Sequence, residues 1–72
     1  MKGFPVHVIA ALVAARQNVG WVASAGAHGK GAFDAERLDL MVNSGGYYEL
    51  NMRGQDVADE AIRLAKSKEK PR

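Results

Sequence analysis

The clearest pattern of apolar and polar positions lies in residues 37–54, with the sequence RLDLMVNSGGYYELNMRG. Apolar and polar residues alternate there on both sides of a Ser-Gly-Gly segment. Because successive side chains of a strand point to opposite faces, the alternation predicts two strands that each bury one face. Both apolar sets must share a face, which predicts a hairpin whose loop is residues 44–46. The predicted pairs on the buried face are Leu38–Met52, Leu40–Leu50 and Val42–Tyr48.

The same pairing predicts which side chains lie on the outer face of the sheet. It sets Met41 opposite Glu49 and Arg37 opposite Arg53. Two directly opposed arginines repel each other unless a negative group lies between them. That group is either an anionic ligand, such as a phosphate or a carboxylate, or the chain's own Asp39, which is diagonal to Arg53.

The rest of the chain divides into two helical segments, one strand and one glycine-rich segment. Apolar residues recur at helical spacing over residues 5–17 and again after Asp56, a typical N-cap residue. The sequence of residues 19–24 predicts a short strand. We expect Trp21 in this strand to contribute more buried area than any other side chain of the protein. Residues 26–32 contain three glycines and no apolar periodicity, which predicts a flexible loop.

These elements predict one α+β domain over residues 1–72, in the order helix, strand, strand, strand, helix. We expect a three-stranded antiparallel sheet with both helices packed on one face, and a frayed basic tail at residues 67–72. The first helix is apolar around most of its circumference, so it must be well covered. A homodimer that buries this helix is therefore an alternative to a monomer.

Composition narrows the function classes. The chain has no cysteine, which excludes a disulfide framework, a thiol nucleophile and a cysteine-based zinc site. Its two histidines lack metal-binding spacing, so we expect neither a metal nor another cofactor. The net charge of +2 is too small to indicate nucleic acid by itself. The apolar run over residues 6–15 is too short to span a bilayer, which predicts a cytoplasmic protein without membrane contact.

His28 is the candidate for catalysis, because imidazole titrates near neutrality and the surrounding glycines allow a ligand to approach the backbone closely. Gly29 and Lys30 are followed by Gly31, whereas the phosphate-binding loop motif requires Ser or Thr there. A solvated histidine without a catalytic role is the alternative interpretation.

Two partial resemblances to known families bear on nucleic acid as a partner. The helix, three strands, helix order resembles the double-stranded-RNA-binding domain, but residues 55–60 (QDVADE) carry acids where that family has a basic cluster. This departure argues against that mode of binding. The Gly-Trp pair at 20–21, followed by Gly-Ala-His at 26–28 and by Phe33, resembles the small toxin endoribonucleases of toxin–antitoxin pairs. The second resemblance implies that His28 is catalytic.

The exposed mixture of aromatic, acidic and basic side chains predicts a small non-enzymatic binding or regulatory protein with a protein partner. Its size suggests an accessory factor of the phage or plasmid type. The alternatives are an RNA- or other nucleic-acid-binding domain, and a toxin-type endoribonuclease that uses His28. The predicted binding residues are Arg37, Met41, Tyr47, Glu49 and Arg53 on the outer face, with His28 and Lys30 in the glycine segment.

Overall fold

The computed structural model describes residues 3–69 and confirms the α+β class. Its elements are α1 (Val6–Arg16), β1 (Trp21–Ala23), α2 (Gly29–Arg37), β2 (Met41–Asn43), β3 (Tyr47–Leu50) and α3 (Met52–Glu69). The three strands form one antiparallel sheet in the order β1-β3-β2, and the helices pack on it. Since β1 and β2 both run antiparallel to the central strand β3, they are parallel to each other, and α2 connects them.

Helix α3 continues to Glu69, so the first half of the predicted frayed tail at residues 67–72 belongs to this helix. The remainder of that segment lies outside the described residues.

Helix α2 was not predicted from the sequence, and the flexible loop predicted at residues 26–32 is helical from Gly29 onward. Glycine normally weakens a helix. A side chain at Gly31, however, would clash with the carbonyl oxygen of His7 and would lie 2.9 Å from Cβ of Ala11. Similarly, a side chain at Gly29 would clash with the carbonyl oxygen of Ser24. These glycines therefore allow close packing of α2 against its neighbours and do not mark a turn.

The end of α2 explains why the predicted strand over residues 37–43 is mostly absent. The N–H of Leu40 donates to the carbonyl of Ala35 at 2.9 Å, and the N–H of Asp39 donates to Glu36 at 3.0 Å. Asp39 adopts φ 64°. These two bonds around a residue in the left-handed region form a Schellman motif, which ends a helix. The apolar and polar alternation at residues 38–40 therefore belongs to a helix terminus.

The hairpin register differs from the predicted one by a single residue. Met41 pairs with Leu50 and Val42 pairs with Glu49. A shift of one residue turns every side chain of a strand to the opposite face. Met41 is consequently buried at 2% exposure, whereas Val42 is 50% exposed.

The turn accounts for this register. The N–H of Ser44 donates to the carbonyl of Tyr47 at 2.8 Å, so only Gly45 and Gly46 remain in the loop. Gly45 adopts φ 75°, a conformation that glycine reaches without a steric penalty. The tight two-residue turn thus replaces the three-residue loop that we expected.

The core is built mainly from small side chains, and its largest fully buried members are Leu12, Leu40 and Val8. The predicted burial of Leu40, Tyr48 and Leu50 is confirmed. Leu38, Val42 and Met52 were predicted to be buried with them and are exposed instead. The fully buried alanines are Ala11, Ala15, Ala32, Ala35 and Ala58.

We expect Gly31→Ala to destabilise the protein by about 2–3 kcal/mol, because the added methyl group forces α1 and α2 apart. Intrinsic helix propensity alone predicts the opposite sign. Gly46→Ala is the matched control, since a Cβ there meets nothing within 4 Å. Urea unfolding of both variants measures the effect. A Gly31→Ala protein as stable as the wild type would contradict the close packing.

Val19 adopts φ 59° and is 92% exposed, so its side chain contributes strain and almost no burial. We expect Val19→Gly to raise the free energy of unfolding by about 1 kcal/mol. Glycine relieves the strain of the left-handed conformation, and this gain exceeds the cost of its greater conformational entropy in the unfolded chain. The neighbouring Gln17 has an ordinary φ of −83°. Gln17→Gly should therefore lower stability in the same thermal or urea assay. Destabilisation by both variants would show that Val19 is unstrained.

Candidate binding face

The exposed face of the sheet consists of alternate residues from all three strands. Trp21 lies directly opposite Glu49, which in turn lies opposite Val42 in β2. Ala23 lies opposite Tyr47 in the next row. No helix covers these five residues, and all are exposed. We call this set (Trp21, Ala23, Val42, Tyr47 and Glu49) the open face.

Two aromatic rings form the centre of the open face. The rings of Trp21 and Tyr47 meet edge to face, with centroids 5.5 Å apart and an interplanar angle of 63°. Trp21 is 40% exposed and Tyr47 is 37% exposed. The expectation that Trp21 would dominate the core was wrong, because Val22 takes the inward position of β1. The signal in the sequence was the alternation of Trp21, Val22 and Ala23, in which only one parity can face inward.

Glu49 is the one charged residue of the open face, and in the register of the sheet it neighbours Trp21 across the strands and Tyr47 along β3. The N–H of Leu50 donates to Gly20 at 2.9 Å, so the neighbouring Trp21–Glu49 pair is not hydrogen-bonded through its backbone. In antiparallel sheets such pairs bring their side chains closest together. Oγ of Ser44 donates to Oε1 of Glu49 at 3.2 Å and helps to orient the carboxylate.

Of the predicted outer-face residues, the structure brings only Tyr47 and Glu49 together. Met41 is buried through the register shift, so its predicted exposure was wrong. Arg37 is the last residue of α2, and its guanidinium carbon lies 5.9 Å from the centre of the Phe33 ring.

Arg53 lies in α3 and donates to Oδ2 of Asp39 at 3.2 Å. The opposed arginines that suggested an anion site therefore do not exist in the sheet, because Arg37 belongs to α2. Asp39 does neutralise Arg53, as the alternative interpretation held.

His28 occupies the N-cap position of α2 and is partly buried. It lines an open groove of about 390 Å³ beside β1, together with Ala14, Asn18, Trp21, Val22, Ala23, Gly26 and Ala27. Within residues 3–69 its imidazole makes no hydrogen bond or ion pair. Lys30 pairs with Asp34 at 3.3 Å. The lysine that follows His28 in the sequence is thus paired with a carboxylate of its own helix.

Carboxylates neutralise most of the cations in the folded part of the chain. The ion pairs are Arg16–Asp59 at 2.8 Å, Lys30–Asp34 at 3.3 Å, Arg53–Asp39 at 3.2 Å and Arg63–Glu60 at 2.6 Å. The paired side chains are mostly exposed, so each pair adds little stability. Their consequence for binding is larger, because affinity for nucleic acid depends on cations that are available to phosphates.

The free edge of β1 is protected against pairing with another strand. The side chain of Asn18 donates to the carbonyl of Trp21 at 2.9 Å, and the N–H of Trp21 lies 3.4 Å from the carbonyl of Asn18. The N–H of Gly26 donates to Ala23 at 3.1 Å. Edge groups that already have partners offer a poor template for an added strand. A ligand at this edge is therefore contacted mainly through side chains.

Residues 3–69 include no group of three or more side chains that could hold a metal ion. The helices within this part of the chain are also too short or too polar to cross a membrane. The chain matches no protein-family model, and comparisons with curated proteins and with solved structures find no match.

Asp34 connects α1 to α2, and its oxygen Oδ2 lies 2.6 Å from Nε2 of His7. The hydrogen bonds from His7 and Lys30 hold the pKa of the Asp34 carboxyl below its ordinary value of 3.8. Because the folded pKa is depressed, ionised Asp34 stabilises the fold above the unfolded pKa. This contribution is lost as the pH falls through the folded pKa.

We therefore expect the free energy of unfolding of Asp34→Asn to fall less steeply with decreasing pH than that of the wild type. The difference should appear below about pH 4, where unfolded aspartate begins to bind protons. Urea midpoints at a series of acidic pH values measure the difference from the wild type. Glu36→Gln, which removes an exposed acid of the same helix, is the control. Identical acid profiles for Asp34→Asn and the wild type would refute the role of Asp34.

Proposed function

We propose that this protein is a small non-enzymatic binding module that recognises a protein partner through its open face. The observation that carries this proposal is the exposed edge-to-face pair of Trp21 and Tyr47, with the half-exposed Val42 on the same surface. Aromatic side chains are enriched where proteins bind one another, and a few of them supply most of the binding energy. They bring a large contact area with few rotatable bonds.

A protein fits this face better than a nucleic acid does. Proteins that bind single strands combine stacking aromatic rings with a positively charged groove for the backbone. The open face supplies the rings, but its one charge is the negative Glu49. A phosphate backbone lying beside Tyr47 would be repelled by that carboxylate.

A different protein also fits the face better than a second copy of this chain. Two-fold symmetry places the same patch on both sides of an interface. Glu49 lies on the central strand β3, in the row between Trp21 and Val42. Symmetric contact would therefore bury two carboxylates in one interface without a cation, which is costly. The proposed partner is a different protein, and a homodimer would have to use another surface.

The role that we propose is regulatory or accessory, and the proposed setting is the cytoplasm. The absence of cysteine is compatible with a reducing compartment. The protected edge of β1 supports a partner that docks on side chains rather than one that extends the sheet.

The proposal predicts that the double variant Trp21→Ala/Tyr47→Ala loses its partner. Tagged wild-type and variant proteins would be used to capture proteins from a host lysate, with and without nuclease treatment. We expect at least a tenfold loss of the captured partner in the double variant, as is typical when central aromatic residues are truncated. Phe33→Ala is the matched control, since Phe33 is 44% exposed but lies on α2. Circular dichroism confirms that each variant is folded.

Two results would contradict the proposal. The first is equal capture by the double variant and the wild type, which would place the binding site elsewhere. The second is capture that disappears on nuclease treatment, which would favour nucleic acid as the partner.

A further inference from the structure

The open face contains the components of a site for an organic cation. We propose that Trp21, Tyr47 and Glu49 bind the guanidinium group of an arginine side chain of the protein partner. The assignment of this arginine to a partner protein rests on the function proposed above. Binding of the cation itself depends only on these three side chains.

The register of the sheet places two aromatic residues next to Glu49 on the open face. Trp21 lies directly opposite Glu49 in a pair of the close type, and Tyr47 lies two residues earlier on the same strand and the same face. The centroids of the two rings are 5.5 Å apart. An incoming cation can therefore touch the carboxylate and the aromatic rings together, and both attract positive charge.

Within the described part of the chain, Glu49 forms no ion pair with a basic side chain, as is also true of Glu36 and Asp56. Asp34, Asp39, Asp59 and Glu60 each lie within 3.3 Å of a basic side chain. Within the described part of the chain, Glu49 receives only the hydroxyl of Ser44, on Oε1. A carboxylate has about four lone-pair sites, so Oε2 and part of Oε1 still accept hydrogen bonds. A cationic ligand can therefore supply the complementary charge without displacing a basic side chain of the described part of the chain.

Arginine suits this arrangement better than lysine does. Its guanidinium group is planar, so it can lie against an aromatic ring while its N–H groups point to a carboxylate. An ammonium group is a compact point charge and is more strongly hydrated. The same chain already places the guanidinium of Arg37 5.9 Å from the ring centre of Phe33, which illustrates this contact on its own surface.

The fluorescence of Trp21, the single tryptophan of the chain, reports the binding directly. The probe is Nα-acetyl-arginine amide, titrated into the whole protein at low ionic strength. The matched probe is Nα-acetyl-citrulline amide, which has nearly the same shape and no charge. We expect a saturable change in the fluorescence of Trp21 with the arginine probe. The citrulline probe should bind at least five times more weakly, and Nα-acetyl-lysine amide should also bind more weakly than the arginine probe.

Glu49→Gln keeps the size of the side chain and removes its charge, so this variant should bind the arginine probe at least five times more weakly. Glu36→Gln, on α2, should bind as the wild type does. In amide NMR spectra the probe should shift the signals of residues 21, 47 and 49 most. Equal binding of arginine and citrulline, or undiminished binding by Glu49→Gln, would overturn the cation site.

The outcomes also separate this inference from the proposed function. If partner capture requires Trp21 and Tyr47 but the protein shows no preference for the arginine probe, only the cation site is overturned. Equal binding of the lysine and arginine probes would overturn the assignment to arginine. Selective arginine binding with capture that is independent of the open face would support the site and contradict the proposed function.

Discussion

The fold depends on how closely its helices approach their neighbours. A side chain at Gly31 would clash with the backbone of α1 at His7, and one at Gly54 would clash with the backbone at Leu40. Alanines supply much of the remaining core. Interiors are packed so densely that even one methylene matters. In a core this small, close backbone contact is what allows three helices and three strands to enclose it.

The composition of the open face depends on where β2 begins and how it pairs. Helix α2 ends in a Schellman motif at Asp39, so β2 begins only after that motif. The turn at Gly45 and Gly46 then sets the pairing of β2 with β3. This pairing turns Met41 inward and places Val42 on the open face.

The elements at the two ends of the chain can be predicted from the sequence better than those in its middle. The first helix, most of the last helix and the inward position of Tyr48 were predictable from local periodicity. The start of the last helix was predicted wrongly, because α3 begins at Met52 and not after Asp56, and the side chain of Asn51 accepts the N–H of Gly54 in its first turn. Helix α2 was not predictable, because Gly29 and Gly31 are unfavourable in an isolated helix and are justified only by contacts with other segments. Tertiary contacts of this kind leave no periodic signal in one sequence.

The candidate site was predictable to a similar extent. Tyr47 and Glu49 were placed outward correctly, since the alternation in β3 is unbroken. Met41 was misplaced because a one-residue difference in loop length reverses the face of its whole strand. Trp21 was missed because a large aromatic residue in a small protein is normally assigned to the core. A three-residue strand offers too few positions for the alternation to outweigh that expectation.

Four of the basic side chains in the described part of the chain pair with its own acids, and the open face exposes two aromatic rings beside the carboxylate of Glu49. The most direct test is site-specific photo-crosslinking in producing cells, with benzoylphenylalanine in place of Tyr47 or, separately, of Phe33. The account predicts a protein adduct from position 47, mapped by mass spectrometry to a segment that contains arginine. A protein adduct from position 33 alone, or an RNA adduct from position 47, would contradict it.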